Sequence, residues 1–267
     1  MSNNISRRSL IAATALLAAP TTLRAQTSAR LLIIGGGFGG ASAASFARRH
    51  YPEAQVTLVE PNTQFVTCPY GNLLLAGERQ ISHITHSYDG LRARGVRILH
   101  DRAIGIDAPA KRVRLQGGDT LTYDRLILSP GIAMRWGAIE GYDQAASEIM
   151  PHAWVPGDGT QTLLLRRQLE AMPDGGVVGI AIPANPFRCP PGPYERISMI
   201  AHYLKKHKPR SKILALDAKE AFSKQGLFQD GWRALYGETI EWVPGNRDGM
   251  VVKVDPRERV LETEFGT

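Results

Sequence analysis

Two short stretches of the 267-residue chain hold residues whose types and spacing could do chemistry. The first is Gly35-Gly36-Gly37-Phe38-Gly39-Gly40. Its glycines fit a dinucleotide fingerprint: Gly35 for the tight turn, Gly37 for backbone approach to a pyrophosphate, and Gly40 for close helix–strand packing. The second is Phe187-Arg188-Cys189-Pro190-Pro191-Gly192-Pro193. It places a cysteine among prolines where a second nucleotide loop would need glycines and donor amides. A helix beginning near Tyr194 would turn its positive end toward Cys189 and favour a thiolate. Redox chemistry is therefore favoured for Cys189 over a structural cysteine in a proline turn.

The flanking elements suit these loops. Leu31-Leu32-Ile33-Ile34 predicts a strand before the first loop, and Gly39–His50 a helix after it. Val56–Glu60 is a second strand, and Glu60 ends it twenty residues after Gly40. A carboxylate there can accept both hydroxyl hydrogens of an adenosine ribose. Short strands are expected at Val96–His100, Ala103–Asp107, Arg112–Leu115 and Thr120–Leu128. Tyr123-Asp124-Arg125-Leu126-Ile127-Leu128-Ser129-Pro130-Gly131 runs from an acid through a strand into a glycine turn. It resembles the second FAD motif of two-domain flavin reductases, with Gly131 closing against the flavin. Cys68, in Thr67-Cys68-Pro69-Tyr70, has two open readings: a thioether to the flavin, or a buried or disulfide-bonded thiol.

A second α/β series follows, with strands at Gly176–Ile182 and Ile213–Asp217 and helices at Leu163–Ala171, Tyr194–His207 and Gly226–Tyr236. Strand–helix–strand order implies parallel sheets. The fold class is α/β: two Rossmann-like units of a two-dinucleotide-binding-domain flavoprotein. The expected organisation is a signal peptide over 1–25, an FAD-binding domain over 28–143, and a second nucleotide-binding-like domain over 144–267 carrying the redox cysteine. The chain ends directly after a strand, so a C-terminal interface domain and the last FAD-binding segment are expected to be absent.

Composition sets the address and the excluded classes. The chain is 43% hydrophobic and 21% charged, which suits a globular protein. Its net charge is +7, but the first 25 residues hold three arginines and no acid, which leaves +4 on the remainder. No basic run is interleaved with aromatics, so nucleic acid is not an expected partner. Arg7-Arg8, the apolar run Leu10–Ala19 and small residues up to Ala25 read as a twin-arginine export signal. The apolar run is too short to span a bilayer, and no transmembrane segment is expected in the mature chain. A periplasmic location follows. With Cys68 and Cys189 as the two cysteines of the whole chain, a structural disulfide between them is the simplest expectation in that compartment. His83, His86, His100 and His152 lack metal-ligand spacing, so no metal is expected.

At these residues the chain resembles the flavoprotein subunit of flavocytochrome c sulfide dehydrogenase. The matching elements are the glycine fingerprint, Glu60-Pro61-Asn62, Thr67-Cys68, Tyr88-Asp89-Gly90-Leu91-Arg92 and Pro151-His152-Ala153-Trp154. The longest is Pro186-Phe187-Arg188-Cys189-Pro190-Pro191-Gly192-Pro193-Tyr194-Glu195-Arg196. The resemblance implies FAD held covalently through Cys68, and Cys189 as half of a redox-active disulfide attacked by sulfide. It implies electron transfer to a c-type cytochrome subunit. It also implies that the second redox cysteine lies in a region this chain does not have, leaving the chain as given impaired. Two other functions compete. One is a sulfide:quinone or NADH:quinone reductase. The other is an inert nucleotide-fold remnant with a Cys68–Cys189 structural disulfide.

Overall fold

The computed structural model describes residues 28–152 and 157–266; the expected export signal lies outside them, as do Ala153 and Trp154. Three apolar segments form the centre and one edge of the four-stranded first sheet: β1 (Arg30–Ile34), β2 (Gln55–Val59) and, much later, β9 (Arg125–Leu128). Their near-continuous runs of Val, Ile and Leu suit strands covered on both faces. Between β1 and β2 runs helix α1 (Phe38–His50), whose buried face is Gly40, Ala44 and Ala47. That i, i+4, i+7 stripe of small residues lets the helix lie close to the sheet. The connection from β2 to β9 holds β3 (Gln64–Val66), α2 (Gly71–Leu75), β4 (Thr85–Ser87), α3 (Asp89–Arg92), β5 (Arg97–Leu99), β6 (Ala103–Asp107), β7 (Arg112–Leu115) and β8 (Thr120–Thr122).

Strand order in the first sheet is β5-β2-β1-β9, all parallel. β3 and β4 pair antiparallel, as do β6, β7 and β8 in a separate three-stranded sheet. The single strand expected over Thr120–Leu128 is thus two strands in two sheets. Asp124 marks the break: its carboxylate accepts from the backbone N–H of Arg30 at 2.8 Å and from the Arg30 guanidinium at 2.9 Å. This clamp starts β9 beside β1 and ends the antiparallel excursion.

The second unit contains α4 (Thr160–Ala171), β10 (Val177–Ile182), α5 (Gly192–His207), β11 (Lys212–Asp217), α6 (Gln225–Tyr236) and β12 (Ile240–Val243). Its sheet is β10-β11-β12, again parallel. A hairpin of β13 (Val251–Asp255) and β14 (Val260–Thr263) follows. Tyr194, Ile197, Ile200, Ala201 and Leu204 form the buried stripe of α5 and pack with Ile182, Ile213, Ala215 and Trp232. Leu75, at the end of α2, is buried in this same core. Arg166 of α4 donates to the Leu75 carbonyl at 2.8 Å. The segment after Cys68 is therefore anchored to the second unit, which brings the two cysteine loops together.

Candidate dinucleotide and thiol site

The glycine loop is tight because backbone fills the space side chains would need. Gly35 has φ +96, and a Cβ there would lie 2.1 Å from the Ser129 carbonyl oxygen. A Cβ on Gly40 would lie 1.8 Å from the Gly35 carbonyl oxygen. Gly37 is less constrained: its nearest neighbour is the Phe65 ring, 3.6 Å from a Cβ position. Gly131, just beyond β9, has φ +81 with open space around it, so conformation rather than crowding calls for glycine. The first N–H groups of α1 have no preceding turn to bond, the ready-made setting for a pyrophosphate.

Glu60 stands at the carboxyl end of β2, 9% exposed. One oxygen accepts from Gly36 N–H at 2.8 Å, and the other from the Asn62 backbone and side-chain amides, both at 2.9 Å. Oε2 keeps room for one more donor, while Oε1 already accepts two. The glycine cradle and this carboxylate fit the adenylate half of a dinucleotide.

Cys68 follows β3. The neighbouring Thr67 N–H bonds Ile84 at 2.8 Å, and the Cys68 carbonyl accepts from Gly71 at 3.0 Å. The residue is exposed, yet its thiol is shielded enough that burial pushes its pKa up. The Arg196 charge opposes that shift, and Cys189 and Glu195 add to it. Arg196 lies in α5 and is 8% exposed; burial pushes it down to about 10, with Cys68 acting in the other direction. His152 belongs to the same neighbourhood: burial and then the Arg196 charge hold its pKa below the ordinary histidine range.

Cys189 adopts φ +56, uncommon for a residue with a side chain. Its carbonyl accepts from Gly192 N–H at 2.8 Å, and its Sγ lies 3.2 Å from where a Gly192 Cβ would be. Gly192 thus leaves room for the sulfur at the start of α5. Helix α5 begins at Gly192, two residues earlier than the sequence suggests. The structural disulfide expected between Cys68 and Cys189 is not formed; both are free thiols. The Cys189 sulfur is turned onto Gly192, and the two thiols meet as electrostatic neighbours rather than bonded partners.

Asp217 is the last residue of β11, much as Glu60 directly follows β2, but it is fully buried. Its carboxylate accepts from Lys219 Nζ at 2.5 Å, Tyr194 Oη at 2.7 Å and Trp242 Nε1 at 3.0 Å. Lys219 also donates to the Pro183 carbonyl at 3.0 Å and lies 4.8 Å from the centre of the Phe187 ring. Sequence reasoning missed Asp217, Lys219 and Arg196. The strand-end position of Asp217 was the available signal; Arg196 closes the Pro186–Arg196 run, but nothing in that run marks its charge as buried.

Residues 162–267 match the family model for the central region of the sulfide dehydrogenase [flavocytochrome c] flavoprotein chain. Residues 29–153 match the pyridine nucleotide-disulphide oxidoreductase family. Over 43 residues, 16% of this chain, it is 58% identical to a sulfide dehydrogenase [flavocytochrome c] flavoprotein chain of Chlorobaculum thiosulfatiphilum, covering 90% of that sequence. It is 29% identical to a sulfide-quinone reductase of Aquifex aeolicus, over 68% of this chain and 41% of that protein. The mouse mitochondrial sulfide:quinone oxidoreductase is 22% identical over 87% of this chain, which covers 51% of that protein. The chain therefore spans about half the length of these curated quinone-reducing relatives. The solved sulfide:quinone oxidoreductase of Aquifex aeolicus superposes with TM-score 0.70 at 22% identity, covering 90% of this chain and 56% of that one. An NAD-dependent persulfide reductase from A. fulgidus superposes with TM-score 0.68 at 16% identity, covering 89% and 43%. These likenesses support the fold, two Rossmann-like α/β units. With the proline-bracketed cysteine and the glycine loop in place, the chain belongs to the family of flavocytochrome c sulfide dehydrogenase flavoprotein chains.

Proposed function

We propose that the chain is the FAD-bearing part of a periplasmic oxidoreductase that oxidises sulfide and passes electrons to a c-type cytochrome subunit. The observation that carries this reading is the convergence of the two cysteine segments, one leading out of the Glu60 strand and one opening α5. Gly35, Gly37, Gly40 and Gly131 shape the cofactor cradle, and Glu60 receives the ribose hydroxyls. Cys68 is the covalent attachment point. FAD, when bound, supplies a two-electron acceptor that can release electrons singly to a haem. The domain limits that follow are 28–143 for FAD and 144–267 for the cysteine-bearing unit, with residues 1–25 as the export signal.

Cys189 is the sulfur that meets substrate. With Cys68 committed to the cofactor, its disulfide partner is a cysteine outside this chain's two. Hydrosulfide attack on that disulfide forms one S–S bond and breaks another, leaving a persulfide on one sulfur and a thiolate on the other. Helix α5 begins at Gly192 beside the Cys189 sulfur, so the positive end of the helix dipole lies next to it. The likeness to sulfide:quinone reductases over most of the chain supports a second reading, in which the acceptor is a quinone. No described helix is long and apolar enough to cross a membrane.

The discriminating experiment is acid precipitation of the protein, then sulfide oxidation with horse cytochrome c and with a short-chain quinone as acceptors. Flavin remaining in the pellet of wild type and lost from Cys68→Ala is expected, with cytochrome preferred. Flavin released by acid from the wild type overturns the covalent role, and faster quinone reduction overturns the cytochrome assignment.

A further inference from the structure

Gly36 is buried, and the two peptide groups that flank it are each held by a side chain. Its N–H donates to Glu60 Oε2 at 2.8 Å, and its carbonyl accepts from Tyr88 Oη at 3.2 Å. A Cβ on Gly36 would lie 2.7 Å from Tyr88 Oη and 2.9 Å from Glu60 Cγ. The phenol and the carboxylate therefore close around Gly36 with no spare room. Tyr88 is 4% exposed and packed among Ile33, Ala44, Leu58 and Leu91, the residues that seat α1 on the sheet. Burial, then the Glu60 charge, pushes its pKa well above the ordinary phenol range, so it stays a donor at any working pH.

A second chain of bonds fixes the other partner. His100 Nδ1 meets the Glu60 carbonyl at 3.1 Å, and Arg92 Nη2 meets His100 Nε2 at 2.6 Å. Arg92 can only donate, so Nε2 accepts and Nδ1–H donates to Glu60. The carboxylate end of β2 is thereby tied to α3, the helix that Tyr88 precedes. One short segment, Tyr88 to Arg92, controls both the glycine turn and the strand end opposite it.

We infer that Tyr88 is a positioning residue for the cofactor: its hydroxyl sets the Gly36–Gly37 peptide so that the Gly37 amide and those after it face the pyrophosphate. The hydroxyl is spent on the Gly36 carbonyl. Removing it leaves a buried carbonyl without its donor and lets the peptide rotate, and the loop then meets the pyrophosphate in a mixture of states. This inference rests on the FAD reading of the glycine loop.

The test is an FAD titration, followed by flavin fluorescence, on the 267-residue chain carrying Cys68→Ala so that binding stays reversible. Tyr88→Phe in that background keeps the ring and its packing. FAD binding about tenfold weaker is expected, equivalent to about 1.4 kcal/mol. ADP, which carries the adenylate pyrophosphate alone, should weaken by a similar factor. The ligand-free melting temperature serves as the second measurement, because a purely structural hydroxyl would lower it while leaving affinity intact. Equal FAD and ADP affinities in the two proteins, with or without a lower melting temperature, overturn the inference and leave the FAD reading standing. A Cys68→Ala parent that binds neither FAD nor ADP overturns the FAD reading and the inference with it.

Discussion

The two units end their second strands on an acid, and the two acids are used in opposite ways. Glu60 is held by backbone and Asn62 amides beside a glycine loop, and its Oε2 keeps room for another donor. Asp217 is sealed in by Lys219, Tyr194 and Trp242 beside a proline loop. On the proposed reading, one fold thus supplies a receptor site and a structural hub from the same topological position. The difference lies in what surrounds the carboxylate: amides that a ligand can share, or side-chain donors that leave nothing to share. In the second unit the hub reaches the cysteine loop itself, because Lys219 holds the Pro183 carbonyl and lies over Phe187.

The sharpest way to break the comparison is to delete both acids. Asp217→Ala should destabilise the fold by about 3–5 kcal/mol in a denaturant titration, because the Lys219 ammonium would stay buried without its counter-charge. Adding Lys219→Met should restore a good part of that loss. Glu60→Ala should cost less, about 1–3 kcal/mol, since Gly36 N–H is the buried donor left over. Equal losses for the two acids would mean that Asp217 is no more structural than Glu60.

Glycine substitutions sharpen the same contrast. Gly40→Ala sets Cβ against the Gly35 carbonyl, a backbone-to-backbone clash that no rotamer relieves. It should lower stability by about 1–3 kcal/mol and abolish FAD retention. Gly231, inside α6, has open space around its Cβ position. Gly231→Ala should instead stabilise by about 0.4–1 kcal/mol. Thermal unfolding of the two variants beside wild type checks both signs. Destabilisation at both positions would remove the crowding argument.

The thiols offer a smaller effect. Burial raises the Cys68 pKa, with Arg196 opposing, so less of it is thiolate at pH 8 than in a free thiol. In the flavin-free protein its iodoacetamide rate should still be climbing above pH 8.5, about where an ordinary thiol is half ionised. Peptide mapping of Cys68 across pH 7–10 measures this. A profile already level by pH 8.5 would mean that the Arg196 charge outweighs burial.

Much of the first unit was legible in the sequence, because its signals are local. An apolar run, spaced glycines and an acid at the next strand end lie within thirty residues of one another, and the structure puts them together. The second unit's hub was not legible: Tyr194, Asp217, Lys219 and Trp242 span nearly fifty residues and meet only through the parallel sheet. Thr120–Leu128 reads as one strand although Asp124 stands out as the acid before the flavin-motif strand; what makes it a break is Arg30, more than ninety residues earlier. Likewise the β3–β4 pairing joins short segments across an irregular stretch. The bonded thiol pair was the simplest expectation from two cysteines, and it failed because the Cys189 turn aims its sulfur at Gly192.

The smallest expected effect is the most direct test of the comparison. Adding NADH should leave the melting temperature unchanged and should not bleach the bound flavin under anaerobic conditions. Three features of the second unit converge on this outcome. Pro190, Pro191 and Pro193 have no N–H to offer a pyrophosphate. The turn ahead of α5 is occupied by the Cys189 sulfur lying against Gly192, where a nucleotide loop would need clearance. The acid that would receive the second ribose already accepts four hydrogen bonds, one of them from a buried ammonium. A ribose hydroxyl could reach it only by displacing Tyr194 or Trp242, which would open the core around Phe222. ADP serves as the positive control for the first unit, where it should raise the melting temperature of flavin-free protein. If NADH protects the protein after the Glu60 site has been removed by Glu60→Ala, the second unit is a receptor after all, and the contrast between the two acids collapses.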